Sequence, residues 1–436
     1  MTAKWWWHVL RLARKLWVRA ALFSLLGIAT AFASIALKGY IPSSLSTKIG
    51  AGAVDDVLTI IASSMLAVTT FTLSIMVQAY GAAASQATPR ATTLLIEDPT
   101  TQNVLATFLG SFLFALVGIV ALHAGAYGDK GRVILFGVTI LVISAITISL
   151  IQWFNKLTTF GRLISTASTV ENAARNTIGR WTDYPNLGCR PLRNAAVDVP
   201  PHAHMIHCDD VGYVQHVDAS ALQSVADHTD AQVYLLAQPG TFVDPSQPLA
   251  AVAGPTPASI SEEDMARVRR AFTVGATRTF DQDVRFGLVV LSEIASRAMS
   301  PAVNDPGTAI DIITRLQRLL TIWQQGRQSS KDDADGNDAI AYPSVHTPAL
   351  SASDLFNDAF RAIGRDGAGT IEVVERLLKT LAALEKLGDG QFADAARAQT
   401  EMLIARANLA LDCDADLASL KQLATTSDSP SKTAAR

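Results

Sequence analysis

Three groups of residues carry side chains that could do chemistry. The densest is Arg278-Thr279-Phe280-Asp281-Gln282-Asp283, followed by Arg297 and then Asn304-Asp305-Pro306. If Arg278, Asp281, Asp283, Arg297, Asn304 and Asp305 gather as one charged cluster between two helices, they could bind an ion or gate a conformational change. The plainer alternative is a tight helical corner, since Asp305 suits an N-cap and Pro306 the first helical position. The second group is Pro201-His202-Ala203-His204-Met205-Ile206-His207-Cys208. His202, His204, His207 and Cys208 are competent zinc ligands, and strand alternation puts His202 and His204 on one face. A polar strand edge is the preferred reading, and a metal site the lesser one. The third group is Asp56, Ser63, Thr70, Ser74 and Gln78, whose seven- and four-residue steps share one helix face. These residues either glue helices together or line an aqueous path.

Catalysis has no comparable footing. The chain contains no G-x-S-x-G, P-loop, G-x-G-x-x-G or H-E-x-x-H. Its three Cys lack paired spacing, so neither an enzyme nor a disulfide-stapled secreted domain is expected. No cofactor is implied. A biotin- or lipoate-type carrier would need a hairpin lysine, and none occurs between Lys156 and Lys331.

The elements that must position these residues follow from composition. The 436 residues are 49% apolar and 17% charged, below the roughly 25% charge usual in soluble domains. Residues 1–160 hold 11 Lys/Arg against 5 Asp/Glu, and the remainder 25 against 34. A basic, apolar first third thus precedes an acidic, more polar remainder, which argues against a soluble enzyme and a nucleic-acid binder. Four uncharged stretches, about Ala20–Leu37, Val57–Tyr80, Val104–Ala126 and Val133–Phe154, approach the ~20 residues that cross a bilayer. Backbone amides cannot stay unpaired in hydrocarbon, so they are expected to be helices. His123 is the only ionisable side chain within them, a candidate for a proton or ion role. Ser111, Ala115, Gly118 and Gly125 form a small-residue line suited to close helix packing.

Basic residues before the first stretch, with Lys156 and Arg162 after the fourth, place both termini in the cytoplasm. Ala31-Phe32-Ala33 resembles a signal cleavage site, but the apolar run continues to Leu37 and an uncleaved span is expected. The organisation expected is a basic, Trp-rich interfacial segment (1–19), a transmembrane bundle of four helices (20–156) and a connecting helical segment (157–197). A cytoplasmic α+β domain follows. It comprises a small β-barrel-like module (198–256), a helical domain with the Asn-Asp-Pro corner (257–325), a flexible linker (326–340), a helical bundle (341–424) and a disordered tail (425–436). Within the β module, Gly212-Tyr213-Val214-Gln215 and Thr241-Phe242-Val243 read as hairpin strands. Helices are expected over about 283–299, from Pro306 to about Trp323, from Ser351, over Ile371–Leu387 and over Phe392–Leu411.

Several blocks occur together in a fixed order. The first holds Ser85, Pro89-Arg90, Asp98, Gln102 and Leu109-Gly110-Ser111-Phe112 between two spans. The second is Gly212-Tyr213-Val214-Gln215 with Val217-Asp218, then Pro239-Gly240-Thr241-Phe242-Val243 and Pro248-Leu249. The third runs from Arg278 to Asp283, through Phe286-Gly287-Leu288, to Ala295-Ser296-Arg297-Ala298-Met299-Ser300-Pro301-Ala302-Val303-Asn304-Asp305-Pro306-Gly307-Thr308-Ala309. In these blocks, covering most of its length, the chain resembles an uncharacterised bacterial membrane family, domain of unknown function 2254. The resemblance implies a multi-span membrane protein with a cytoplasmic domain, and no established activity; the expected location is the bacterial inner membrane. Two functional readings remain open. In one, a homo-oligomer passes an ion or small solute under control of the cytoplasmic domain. In the other, the helices only anchor a scaffold or binding domain in the lipid bilayer. Nucleic acid is not an expected partner.

Overall fold

The computed structural model describes residues 51–125, 128–256, 260–332 and 340–427, with a few isolated helical positions before residue 51. Nearly all of the interfacial segment and of the first apolar stretch, residues 333–339 of the expected linker, and the end of the tail lie outside the described residues. Two compact units divide the chain, one holding residues 89–166 with the helix before them, the other residues 86–88 and 167 onward.

The first unit contains α1 (Ala51–Gln86), the short α2 (Pro89–Ile96), α3 (Pro99–His123) and α4 (Gly128–Leu157). Three of its helices, over Ala53–Gln86, Pro99–His123 and Gly131–Leu157, are long and apolar enough to cross a membrane. They pack around Leu58, Ile61, Met65, Phe108, Phe114, Leu135 and Trp153. Ser111, Ala115 and Gly118 are buried in this bundle, and a side chain at Gly118 would crowd Leu58. Gly125 does not extend that packing line. It sits past the end of α3 with a φ of +67°, where a left-handed residue closes the helix. At the start of α3, Asp98 caps the helix through Thr101 and receives Lys156 of α4 at 3.1 Å. Burial pushes the Asp98 carboxyl up, but the Thr101 and Lys156 bonds prevail and hold it below its ordinary value.

Helix α5 (Leu163–Asp183) carries the chain into the second unit. There β1 (Cys189–Leu192), β2 (His204–His207), β3 (Gly212–Val217), α6 (Ala219–Thr229), β4 (Gln232–Leu235), β5 (Phe242–Val243), β6 (Pro248–Ala253), α7 (Glu262–Ala271) and β7 (Phe272–Gly275) follow. Next come α8 (Val284–Ala298), α9 (Pro306–Asp332), β8 (Tyr342–Pro348), α10 (Ala352–Asp366), α11 (Ile371–Leu387), α12 (Gly390–Ala410) and α13 (Asp414–Ser427).

The barrel-like module is corrected. The described strands form two open sheets, β1-β8-β4-β6-β2 and β5-β3-β7, and none of them closes into a barrel. The two expected hairpin strands do pair, Gly212 with Val243 and Tyr213 with Phe242. The other edge of β3 is taken by β7, so β3 is the central strand of the small sheet, which pairs with no strand of the large one among the described residues. The large sheet instead recruits β8, parallel to both β1 and β4, from a stretch that the sequence reading assigns to the helical bundle. Helix α6 is a second departure, lying inside a segment read as strands. Asp218 caps it, and Asp230 ends it at a φ of +50°. A third concerns the linker, because α9 continues to Asp332. Its buried Gln324 bonds Asp389 at 3.3 Å, and Gln328 bonds the Leu387 carbonyl at 3.2 Å. These glutamines fasten α9 to the turn between α11 and α12. The helices expected at 283–299, 351, 371–387 and 392–411 lie within a few residues of α8, α10, α11 and α12.

Candidate functional site: the grip on helix α5

The Arg278–Asp283 segment leads into α8, and its side chains build a junction. Asp283 caps α8 by accepting from the amides of Arg285 and Phe286, both at 3.1 Å. The same carboxylate takes the Arg278 guanidinium two-pronged, at 2.6 and 2.9 Å. Burial, the largest influence, pushes the Asp283 carboxyl up, and the fork and amides oppose it. Gly240 lies against this carboxylate at a φ of +92°, so any Cβ there would overlap it. Gln282 donates to the Val217 carbonyl and accepts from the Val217 amide, mimicking a strand neighbour for β3. Gln215 reaches the Thr277 carbonyl at 2.7 Å. One hexapeptide thus ties the small sheet to α8.

The backbone of that hexapeptide faces α5. Thr177 donates to the Phe280 carbonyl, Arg180 to that of Asp281 at 2.5 Å, and the Trp181 indole to that of Gln282 at 3.0 Å. Three consecutive carbonyls are held by one helix face. Ala174 sits where Gly287 of α8 leaves no room for a side chain, and Thr182 does the same against Gly326 of α9. One turn earlier, the buried Glu171 accepts from Arg315 at 2.7 Å, Arg318 at 2.9 and 3.0 Å, and Arg175 at 3.3 Å. Burial pushes the Glu171 carboxyl up, yet Arg318 and Arg315 outweigh it and the net shift is downward. Helix α5 is therefore gripped from Glu171 to Thr182 by α8, α9 and the 278–283 segment. Sequence reasoning missed this arrangement. The signal present was Glu171 among small residues of an amphipathic segment, with Arg315 and Arg318 three apart on another helix.

The six residues of the expected charged cluster do not come together. Arg278, Asp281 and Asp283 stand at the start of α8, and Arg297, Asn304 and Asp305 beyond or near its end. The 15-residue helix between them spans about 22 Å. Asp305 accepts from the Thr308 amide and hydroxyl at 3.0 and 2.6 Å, which lowers its pKa. Asn304 adopts a φ of +46° and donates its amide to the Ser300 carbonyl at 2.9 Å. That half is the capped corner. Arg297 is exposed.

Among the described residues, no group of three or more His, Cys, Asp or Glu is placed to hold a metal. His204 and His207 lie on β2, whose His207 carbonyl accepts from Arg269 at 2.9 Å; Cys208 Sγ accepts from the Asp210 amide, and His202 precedes the strand.

In the membrane unit, Asp56, Ser63, Thr70, Ser74 and Gln78 are all exposed, on the face of α1 turned from Val54, Leu58, Ile61 and Met65. Ser63 and Thr70 donate back to carbonyls of their own helix, and Gln78 donates to Ser74 at 3.4 Å. His123 Nδ1 lies 2.9 Å from the Ile119 carbonyl and 3.9 Å from Asp55. Asp55, its neighbour across the bundle, was not singled out by sequence.

The family profile of predicted membrane proteins, domain of unknown function 2254, matches residues 13–383, and the chain belongs to that family. Uncharacterized proteins of Mycobacterium bovis and of Mycobacterium tuberculosis are each 27% identical over 275 residues, 61% of this chain and 51% of theirs. The chain thus spans about half the length of the curated relatives it matches. No solved structure matches it.

Proposed function

We propose that this family member assembles as a homo-oligomer in the bacterial inner membrane, with both termini and the second unit in the cytoplasm, and passes ions or small polar solutes along the Asp56–Gln78 face of α1. One observation carries the reading: that face is exposed on the single chain although the helix is otherwise apolar enough to span a bilayer. Serine and threonine there bond their own helix and tolerate lipid. Asp56 and Gln78 do not share that remedy. The full cost of about 2.5–3.5 kcal/mol for a carboxylate applies at the bilayer centre; Asp56 borders the uncharged stretch and bears less of it, and Gln78 bears the cost of an amide in hydrocarbon, so water or a protein neighbour should cover them. A path between subunits supplies both. Helix α5 would transmit movements of the second unit, since the chain enters that unit through it. No catalysis, metal or cofactor is assigned.

The test is flux through purified protein in liposomes, together with a thiol placed on the same face. Thr70→Val or Ser74→Val should alter flux. The Thr70→Cys variant should crosslink between copies and react with water-soluble thiol reagents. Crosslinking of that thiol only to the first apolar segment of its own chain would show that the face is internal glue. A symmetric oligomer with no water-accessible path would favour the anchored scaffold.

A further inference from the structure

Away from the α5 grip, a groove of about 450 Å³ opens between α8, α10 and α12. It continues along α8 into a second chamber of about 530 Å³, with which it shares Glu293 and Ser296. The walls carry mixed charge, and most of that charge is already engaged. Asp358 holds Arg285 at 2.6 Å, Arg365 holds Asp366 at 2.6 Å, and Ser296 donates to Asp366. Arg361 is different. It is exposed on the groove wall, and among the described residues its guanidinium has no carboxylate partner. Arg406 uses one nitrogen on the Arg361 carbonyl at 2.9 Å and leaves the remainder of its fork in the groove lining. On the floor, Ser292 is 2% exposed, and its hydroxyl has no hydrogen-bond partner among the described residues. Glu293 lies between the two chambers and receives the Thr88 hydroxyl at 3.1 Å.

We infer that this groove binds a phosphate ester of a polyhydroxylated small molecule, with the phosphate on Arg361 and Arg406 and the hydroxyls on Glu293 and Ser292. Two guanidiniums lining one groove suit phosphate, which they meet by charge-assisted forks. A bare anion would be repelled by Glu293, and a bare cation by the arginines. A ligand anionic at one end and hydrogen-bond-donating at the other satisfies both. The volume falls within the roughly 300–1,000 Å³ of small-molecule sites. A soluble sugar phosphate and a glycerol-phosphate lipid headgroup share this chemistry. The inference is independent of conduction, and the site would stand if the membrane path did not.

The experiment is calorimetric titration of the full-length protein in detergent with ribose 5-phosphate and, separately, with inorganic pyrophosphate. Ribose 5-phosphate should bind saturably, and Arg361→Gln should weaken it about tenfold or more while Arg361→Lys retains part of the affinity. Glu293→Gln should weaken ribose 5-phosphate without weakening pyrophosphate, which separates the hydroxyl end from the phosphate end. Repeating the titration in phosphatidylglycerol nanodiscs assigns the source: loss of ribose 5-phosphate binding there points to the lipid headgroup, and retention to a soluble ester. Absence of saturable binding of either probe, or equal affinities in wild type and Arg361→Gln, would overturn the inference. Arg361 is exposed and supports no packing, so an unaltered thermal transition in its variants is expected and guards against misfolding.

Discussion

Arg278 and Asp283 should behave as one energetic unit. Replacing Asp283 by Asn preserves an N-cap, because Asn caps helices about as well as Asp. It removes the anion that meets the Arg278 fork at 2.6 and 2.9 Å. Their side chains are only 20% and 2% exposed, so the abandoned guanidinium stays largely desolvated. Breaking such a pair from one side costs about 3–5 kcal/mol. Arg278 also lies 5.1 Å from the centre of the Phe286 ring. That contact is worth about 0.5–1 kcal/mol and survives the substitution, so the low end, about 3 kcal/mol, is expected. Arg278→Met should cost a similar amount. The double variant should cost less than the two singles together by about 2 kcal/mol, since the second change removes a charge the first had orphaned. Hydrogen exchange of the Arg285 and Phe286 amides in the full-length protein reads this directly, with about a hundredfold faster exchange in each single variant. Simple additivity, or single costs below about 1 kcal/mol, would show that Asp283 acts only as a cap.

Three further outcomes are expected. Gly287→Ala should force α5 and α8 apart and cost about 1–3 kcal/mol by overpacking, with Ala174→Gly restoring stability in a thermal-unfolding comparison. Gly240→Ala should be at least as damaging, because it adds a left-handed backbone penalty to the clash with Asp283; a wild-type unfolding temperature would refute the close approach. Glu171 has a folded pKa below its ordinary 4.5, so its stabilising contribution is complete above that pH and is lost as acid carries the pH down through the folded value. Glu171→Gln should flatten that acid limb by removing the contribution at higher pH, so that α5 amides exchange faster than wild type near pH 6 and converge with it toward pH 3, within about the window carboxylates govern.

Helix positions were legible in the sequence where one chain segment holds all the information. The spans at α1, α3 and α4 read from uninterrupted apolar length, and α10, α11 and α12 from their 3.6-residue stripes. Asp305 announced its cap because Thr308 is three residues away. Helix α6 could have been read as well: Leu222, Val225, Ala226 and Thr229 are buried at helical spacing behind the capping Asp218. Its short polar flanks resembled the surrounding strand pattern and hid it.

What the amino-acid order determined alone is the set of elements that must hide from water or live in lipid, together with the family those blocks belong to. Apolar length and periodicity are local quantities, so they survive without coordinates. The partnerships came only with the tertiary structure. Glu171 meets Arg315 across 144 positions, and Thr177 reaches Phe280 across 103. Strand β8 enters its sheet in parallel, a pairing that no turn announces. The charged residues 278–305 looked like one cluster because they are close in sequence, yet a rigid helix of 15 residues holds the two halves apart. Distance along the chain and distance in space part company wherever a helix spends its length in between.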